Sequence, residues 1–356
     1  MNSDLQKFSV CDECGSTYYA NSSSMRSICP ECAHVLYGYP PCEHIFVNKR
    51  CQKCHWDGTH STYVKSRLTS KKKKRFYTII LPICIVLILS FFAWIIWANK
   101  ALELNAYTIQ SKQIPSSFDG FRIAQLSDLH IEKTEKANEK LLAMVREATP
   151  DIIVITGDMI DCHRTNVESA LRFAEKAVEI APCYYIAGNH ESLITEEYLQ
   201  LKSGLIERGI TVLEDEKIEL ERNGETISLI GVEDPGFSVH YLTGDCAQVM
   251  EDKLQSLDIE ESVYNILLSH RPELFDLYVQ YGADLVFTGH AHGGQFRLPL
   301  IGGLYAPNQG IFPEYDSGLY TSGNTNMLVS RGIGNSSFPL RFNNRPEVIL
   351  VELKTV

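Results

Sequence analysis

Residues 151–161 read Asp-Ile-Ile-Val-Ile-Thr-Gly-Asp-Met-Ile-Asp, and they decide the fold. Ile152 to Ile155 form a β-branched run too short for a helix and closed by Gly157, which marks a buried strand. Asp158 then places a carboxylate just past the strand end. Working outward, the same grammar recurs four times. FRIAQLS leads into Asp128-Leu129-His130, YYIA into Gly188-Asn189-His190-Glu191, NILLS into His270, and DLVFT into Gly289-His290-Ala291-His292. Side chains just past successive strand ends converge on one edge of a sheet. The blocks offer two Asp, one Asn and four His as ligands, with one His to spare. That oxygen and nitrogen set suits two divalent cations, and no cysteine belongs to it.

Asp128 and His130 are two residues apart, as are His290 and His292, so in extended chain each pair points to one face. A carboxylate such as Asp158 has two oxygens and can bridge two cations. Two ions roughly 3.5–4 Å apart clamp the attacking and leaving oxygens of an in-line phosphoryl displacement and make hydroxide available near neutral pH.

In that order, the blocks D-x-H, G-D-x-x-D, G-N-H-E, a lone His and G-H-x-H resemble the calcineurin-like metallophosphoesterase superfamily. The longer strings GDMID, GNHE, SHRPE and GHAHGGQFRLPLIGGLYAP are more narrowly similar to its branch of membrane-associated bacterial phosphodiesterases, over roughly residues 120–353. The resemblance implies a two-sheet α/β sandwich with helices outside. It implies Asp128, His130, Asp158 and His292 as ligands of one metal, and the shared Asp158 with Asn189, His270 and His290 as ligands of a second. It further implies a hydroxide bridging the metals as nucleophile. His190 would bind phosphate and protonate the leaving oxygen, with Asp161 orienting it. The ligand mix tolerates Mn, Fe, Zn or Co, with Mn or a mixed pair preferred. One departure matters. Protein phosphatases of the superfamily carry a phosphate-gripping arginine after the GDxxD block, where this chain has Cys162. That favours a phosphodiester or pyrophosphate over a phosphoprotein, with His163 and Arg164 as candidates to replace the clamp.

Charge divides the chain. Residues 1–100 carry 13 Lys+Arg against 6 Asp+Glu, and residues 101–356 carry 20 against 38, within an overall −11. An acidic large domain argues against nucleic acid as its partner.

Residues 1–60 hold seven of the eleven cysteines. Cys11-x-x-Cys14 and Cys29-x-x-Cys32 have the spacing of a four-thiolate structural zinc site. For these knuckles a disulfide framework or loose thiols is the alternative, and Cys42, His44, Cys51 and Cys54 resemble a second zinc module. The segment reads as a zinc-ribbon-like module, too loop-rich to fold on an apolar core alone. It has no basic surplus, so a cytoplasmic protein partner suits it better than nucleic acid.

Residues 61–75 form a basic linker ending in Lys71-Lys72-Lys73-Lys74-Arg75. Residues 78–98 follow without a charge, and as a helix they span about 31 Å, the thickness of a bilayer core. Phe76 and Tyr77 at one end and Trp94 and Trp97 at the other are interfacial aromatics. The basic residues precede this transmembrane helix. The positive-inside rule therefore predicts a single-pass protein of the cell membrane, with a cytoplasmic N-terminus and residues 101–356 on the outer side. The thiol-rich module then faces the reducing cytosol. The outer domain keeps Cys162, Cys183 and Cys246, an odd number that leaves at least one free or paired between chains.

Residues 99–120 read as a connector and 121–356 as the catalytic domain. Strands are predicted near 121–126, 151–155, 183–187, 263–268, 284–288, 326–330 and 346–353, and helices near 136–148, 166–180, 195–208 and 272–280. A hairpin over 216–231 turns at Asn223-Gly224. The loops at 233–261 and 299–316 either rim the substrate site or are plain surface connections, and Arg331 and Asn335 share that ambiguity. The resulting expectation is a membrane-anchored binuclear phosphoesterase acting on a diester or pyrophosphate, with lipid-linked or cell-envelope substrates in reach. A phosphomonoesterase and a non-catalytic signalling scaffold are the alternatives.

Overall fold

The structure, a computed structural model, describes residues 7–131, 135–239, 244–335 and 340–356. Residues 1–6 of the cysteine-rich module and 240–243 of the 233–261 loop lie outside that set. The chain divides into two compact units, Met1–Phe92 and Ala93–Val356.

In the first unit, an antiparallel pair (Phe8–Val10, Thr17–Tyr19) and a short one (Phe46–Val47, Arg50–Cys51) flank the helix Pro30–Tyr37. Cys29 caps that helix, its Sγ accepting the Cys32 amide at 3.4 Å, and Pro30 occupies the first turn, where a missing N–H costs nothing. The buried centre is made of Cys11, Cys29, Cys32, Cys51 and Cys54 with Tyr18, Trp56 and Val64. Val64 belongs to the helix Thr62–Arg75, so the basic linker is helical from its second residue. A π-helical turn, Phe76–Ile80, precedes the helix Leu81–Ala98. Pro82 lacks an N–H, and such a slipped turn is one way a helix absorbs that loss. Phe76–Ala98 is 23 residues long, and an 18-residue stretch of it has mean hydropathy 3.0 with none of that stretch buried. An all-round apolar helix of that length needs a non-aqueous surround.

The second unit is two six-stranded sheets face to face. The first runs Glu103–Ser111, Glu347–Thr355, Arg122–Leu126, Ile152–Thr156, Cys183–Ile186, Thr211–Val212 in spatial order. The second runs Glu216–Arg222, Glu225–Gly231, Asn265–Leu268, Leu285–Thr288, Thr325–Val329, Gly318–Ser322. The central strands of each sheet are parallel, apart from Glu347–Thr355, which is antiparallel to Arg122–Leu126. The stretch 152–155 shows why both faces are apolar. Ile152 and Val154 pack between the sheets with Ile227, Ile266 and Phe287, whereas Ile153 and Ile155 pack under the helices Glu135–Ala148, Val167–Val178 and Thr195–Glu207. Each such side chain, fully buried, contributes about 1.5–3 kcal/mol. The second sheet's outer face is covered by Cys246–Ser256 and Phe275–Gln280.

Besides the helical linker, the structure departs from the sequence reading at three places in the second unit's backbone. The 99–120 connector contains the nine-residue strand Glu103–Ser111, paired in parallel with Glu347–Thr355. The polar 233–261 insertion contains the helix Cys246–Ser256, capped by Asp245 and burying Met250 and Leu254. Asp128, His130, His290 and His292 are not in extended chain. Their φ angles of 49°, 39°, 63° and 47°, with 52° at Asp158, are left-handed. Each costs on the order of 1 kcal/mol for a non-glycine residue.

Candidate metal centre

Asp128, Asp158, Asn189, His270 and His290 stand two or three residues past the C-terminal ends of five strands. That is the edge where open α/β sheets bind ligands. Glycines let the loops close. A Cβ on Gly289 would lie 2.5 Å from Asp128 Oδ2, and one on Gly157 would lie 2.5 Å from His270 Nδ1. All seven ligand-type side chains are buried.

His292 Nε2 is 3.3 Å from Asp128 Oδ1 and 3.4 Å from His130 Nε2, which is 3.8 Å from Asp158 Oδ2. On the other side of Asp158, His270 Nε2 is 3.3 Å from the same Oδ2 and 3.1 Å from Asn189 Oδ1. Donor atoms bound at about 2.1 Å to one ion sit about 3.0–3.4 Å apart. The side chains therefore meet at ligand-to-ligand spacing in two groups that share Asp158, and the donor set fits two divalent cations. His270 Nδ1 donates to Thr156 O at 2.7 Å, which leaves Nε2 as the lone-pair atom. His290 Nε2 is 3.0 Å from Asn308 Oδ1, which orients that ring.

Electrostatics agree with ligand chemistry. Burial pushes His130 down to about 4 and His290 down to about 3, and it holds His292 well below the usual imidazole range. All three are thus neutral and ligand-ready at neutral pH. Burial also pushes the Asp128 carboxyl up to about 6. Burial would raise Asp158 too, but the neighbouring His270 and His190 hold it well below the carboxylate range. Burial alone would lower His270, yet Asp158 in turn draws it up to about 10, a proton that a bound cation would displace.

His190 differs from the expected pairing. Its Nδ1 accepts the Cys162 amide at 3.2 Å, and Asp161 Oδ2 is 3.9 Å away, beyond a hydrogen bond. Asp161 Oδ2 is nearer to His130 Nδ1, at 3.4 Å, though off the hydrogen-bond direction. Its Oδ1 instead accepts the backbone amides of His163 and Arg164 at 2.7 and 2.9 Å, which ties the loop after the GDMID block. The side chains of His163 and Arg164 are exposed. Arg331 is committed to Glu103 and Glu347 at 2.6 and 2.8 Å, so it serves the scaffold.

Four residues here escaped the sequence reading. Glu191 is fully buried, accepting the amides of Asp158, Ile160 and Gly188 at 3.0, 3.1 and 2.8 Å, and it joins two ligand loops. Arg271, also buried, is bidentate to Asp234 at 2.6 and 2.9 Å and donates to Asn308 at 2.9 Å. Asn308 brings the 299–316 loop onto His290. Arg341 lies buried with Nη2 3.4 Å from His292 Nδ1, and its backbone is held by Asn99. Beside His130 opens a cavity of about 470 Å³, also lined by Leu129, Leu141, Asn99, Asn335 and the exposed Lys100, Lys136 and Lys140.

In the first unit, the donor atoms of Cys11, Cys14, Cys29 and Cys32 form one cluster and those of Cys42, His44, Cys51 and Cys54 another, each within 4.8 Å. Four sulfurs about 2.3 Å from one zinc sit about 3.8 Å apart. Cys14 and Cys29 Sγ are 3.8 Å apart, far beyond a disulfide. His44 Nδ1 is 3.4 Å from Cys54 Sγ, while its Nε2 faces Glu31 at 3.3 Å.

A parallel-stranded sandwich with two carboxylate–imidazole groups sharing one Asp defines a metal-dependent phosphoric ester hydrolase. The calcineurin-like phosphoesterase pattern matches residues 121–294. The chain is 32% identical over 268 residues to the metallophosphoesterase YkuE of Bacillus subtilis (strain 168), covering 71% of this chain and 86% of that protein. It is 29% identical to the phosphodiesterase YaeI of Escherichia coli (strain K12), covering 65% and 82%. It is 30% identical to a transmembrane protein with metallophosphoesterase domain of Danio rerio, covering 69% and 56%. The chain belongs to the calcineurin-like phosphoesterase family.

Proposed function

We propose that the chain is a membrane-anchored phosphodiesterase or pyrophosphatase whose substrate is carried by a membrane lipid. The observation that carries this reading is the cavity beside His130, which is also lined by Asn99 and Lys100, the two residues after the apolar helix. Its lysines suit an anionic headgroup and its leucines suit the start of an acyl or prenyl chain. With Cys162 in place of a phosphate-gripping arginine, a monoester dianion has less to hold it than a diester.

In this reading Asp128, His130 and His292 hold one divalent cation, Asn189, His270 and His290 hold the other, and Asp158 is shared. Two such cations supply Lewis-acid charge and a water acidified to near-neutral pKa. Mn or a mixed pair suits the donors. His190 accepts the Cys162 amide through Nδ1, so in its neutral form the ring's proton sits on Nε2. As the imidazolium, protonated at Nδ1 in place of that contact, it gives the Nε2 proton to the departing oxygen and returns to the neutral ring. Asp161 fixes the loop that carries the Cys162 amide and acts as a positioning residue. The two cysteine clusters hold structural zinc, with Glu31 fixing the His44 ring from behind. The module so built is the docking point for a cytoplasmic protein.

In lipid vesicles, the full chain should hydrolyse a vesicle-embedded phospholipid diester about tenfold or more faster than a soluble diester with the same leaving group. Lys136→Glu with Lys140→Glu should reduce only the first rate. Equal turnover on both substrates removes the lipid reading, and a faster rate on monoesters removes the diester one. Orientation is read by protease shaving of intact cells. Release of residues 101–356 with the cysteine module spared is expected, and the opposite pattern inverts the topology.

A further inference from the structure

Residues 298–313, Leu-Pro-Leu-Ile-Gly-Gly-Leu-Tyr-Ala-Pro-Asn-Gln-Gly-Ile-Phe-Pro, carry no charge, although the domain around them is strongly acidic. They fold as two small hairpins, Arg297–Leu298 with Gly302–Gly303 and Tyr305–Ala306 with Gly310–Ile311. Most of their large apolar side chains face outward, while Ala306 is buried. Leu300, Ile301, Tyr305, Ile311 and Phe312 are all more than half exposed, and Leu300 at the first tip is fully so. Leu300 is held at a left-handed φ of 68°. The one charge at the base, Arg297, is matched by Asp316 at 3.0 Å. An exposed apolar cluster of this kind marks a contact surface.

The surface sits beside the end of the apolar helix. Phe296 pairs with Phe342, and Arg297 N donates to Phe342 O at 2.9 Å. The Phe342 ring lies 5.7 Å from Trp94, in the last turns of the helix, and Arg345 stacks over Trp97 at 5.2 Å. Asn99 exchanges hydrogen bonds of 2.8 and 2.7 Å with Arg341, one residue before Phe342. The strand Arg297–Leu298 is thus joined through Phe342 to the last turns of the helix, and its apolar tip, Leu300, lies two residues past the strand's end.

We infer that the 297–312 hairpins are a second membrane contact, in which Leu300, Ile301, Ile311 and Phe312 enter the headgroup–acyl boundary of the leaflet from which the helix emerges. The inference rests on the anchoring reading above. It adds that the catalytic unit is seated on the membrane at two points. Because Asn308 lies between the exposed residues and also bonds His290 and Arg271, the seat and the metal centre share one loop.

The test uses the full chain in vesicles of phosphatidylethanolamine and phosphatidylglycerol, with a photoreactive diazirine residue placed singly at position 88, 300 or 199. Ile88 lies within the apolar helix, and Leu199 is an exposed leucine on the helix Thr195–Glu207. Lipid adducts are expected at 88 and 300, with the yield at 300 about fivefold or more above that at 199. Adducts at 88 alone overturn the second contact and leave the anchor standing. Adducts at neither position overturn the anchor itself. A protein–protein cross-link at 300 assigns the surface to another copy of the chain and also overturns the inference. Leu300→Asp with Ile301→Asp should keep turnover of a soluble chromogenic diester within about twofold while lowering the vesicle-embedded rate about tenfold. Equal losses on both substrates would mean that the hairpin shapes the site and not the seat.

Discussion

Asp158→Asn lowers turnover of a chromogenic phosphodiester by about 10³-fold or more, near 4 kcal/mol of transition-state stabilisation. The substitution keeps the shape and removes a charge from the one carboxylate common to both ligand groups. Asp158 Oδ2 lies 3.3 Å from His270 and 3.8 Å from His130, and Oδ1 accepts the His190 amide at 2.9 Å. An amide can keep the His190 contact through its oxygen but then presents an NH₂ where two cations require an anion. Metal content separates this cause from a folding defect. The intact wild-type chain should return four ions, two of them zinc in the cysteine module. The variant should lose one or both of the others and keep the zinc. Four ions retained with activity near wild type would remove Asp158 from the shared position. A wild-type count short of the module's two zinc ions would remove the zinc reading of Cys11, Cys14, Cys29, Cys32, Cys42, His44, Cys51 and Cys54.

How much of this was legible in the sequence depends on how local the signal is. The run 152–155 is apolar on both faces because one face meets the other sheet and the other meets helices, so its bare composition announces the layer it occupies. The turn at Asn223-Gly224 is equally local, with φ of 52° and 83°. Glu103–Ser111 was hidden for the opposite reason. It is an edge strand whose residues alternate in exposure, and Glu103, Asn105 and Gln110 read as connector. The helix Thr62–Arg75 has only Val64 and Leu68 on its buried side, too short an apolar stripe to reveal it. In the site, candidate ligands could be named because each follows its strand closely. Glu191, Arg271, Asn308 and Arg341 could not, since each acts through partners elsewhere in the chain, and an isolated Arg or Asn carries no mark of its partner. The left-handed backbone at Asp128, His130, Asp158, His290 and His292 was hidden too. It is imposed by the convergence of loops, as the tight approach of Gly289 to Asp128 shows.

His190→Ala should separate two substrates that differ only in leaving group. With an alkoxide leaving oxygen the loss is about 10²–10⁴-fold in kcat, because the departing atom needs a proton. With a nitrophenolate, which leaves readily as an anion, the loss should shrink to about tenfold. The geometry sets this expectation. In the neutral ring the Cys162 amide occupies Nδ1 and the proton sits on Nε2, which stands 3.9 Å from Asp158 Oδ2 at the edge of the ligand cluster. A second proton taken up at Nδ1 makes the imidazolium that acts as the acid. Asp161 is too far from the ring to share the proton, so Asp161→Asn should disturb catalysis less than His190→Ala and without dependence on the leaving group. If His190→Ala cost the same factor on both substrates with metal content unchanged, the imidazole would be a phosphate-binding group alone, and the proton would have to reach the leaving oxygen from water.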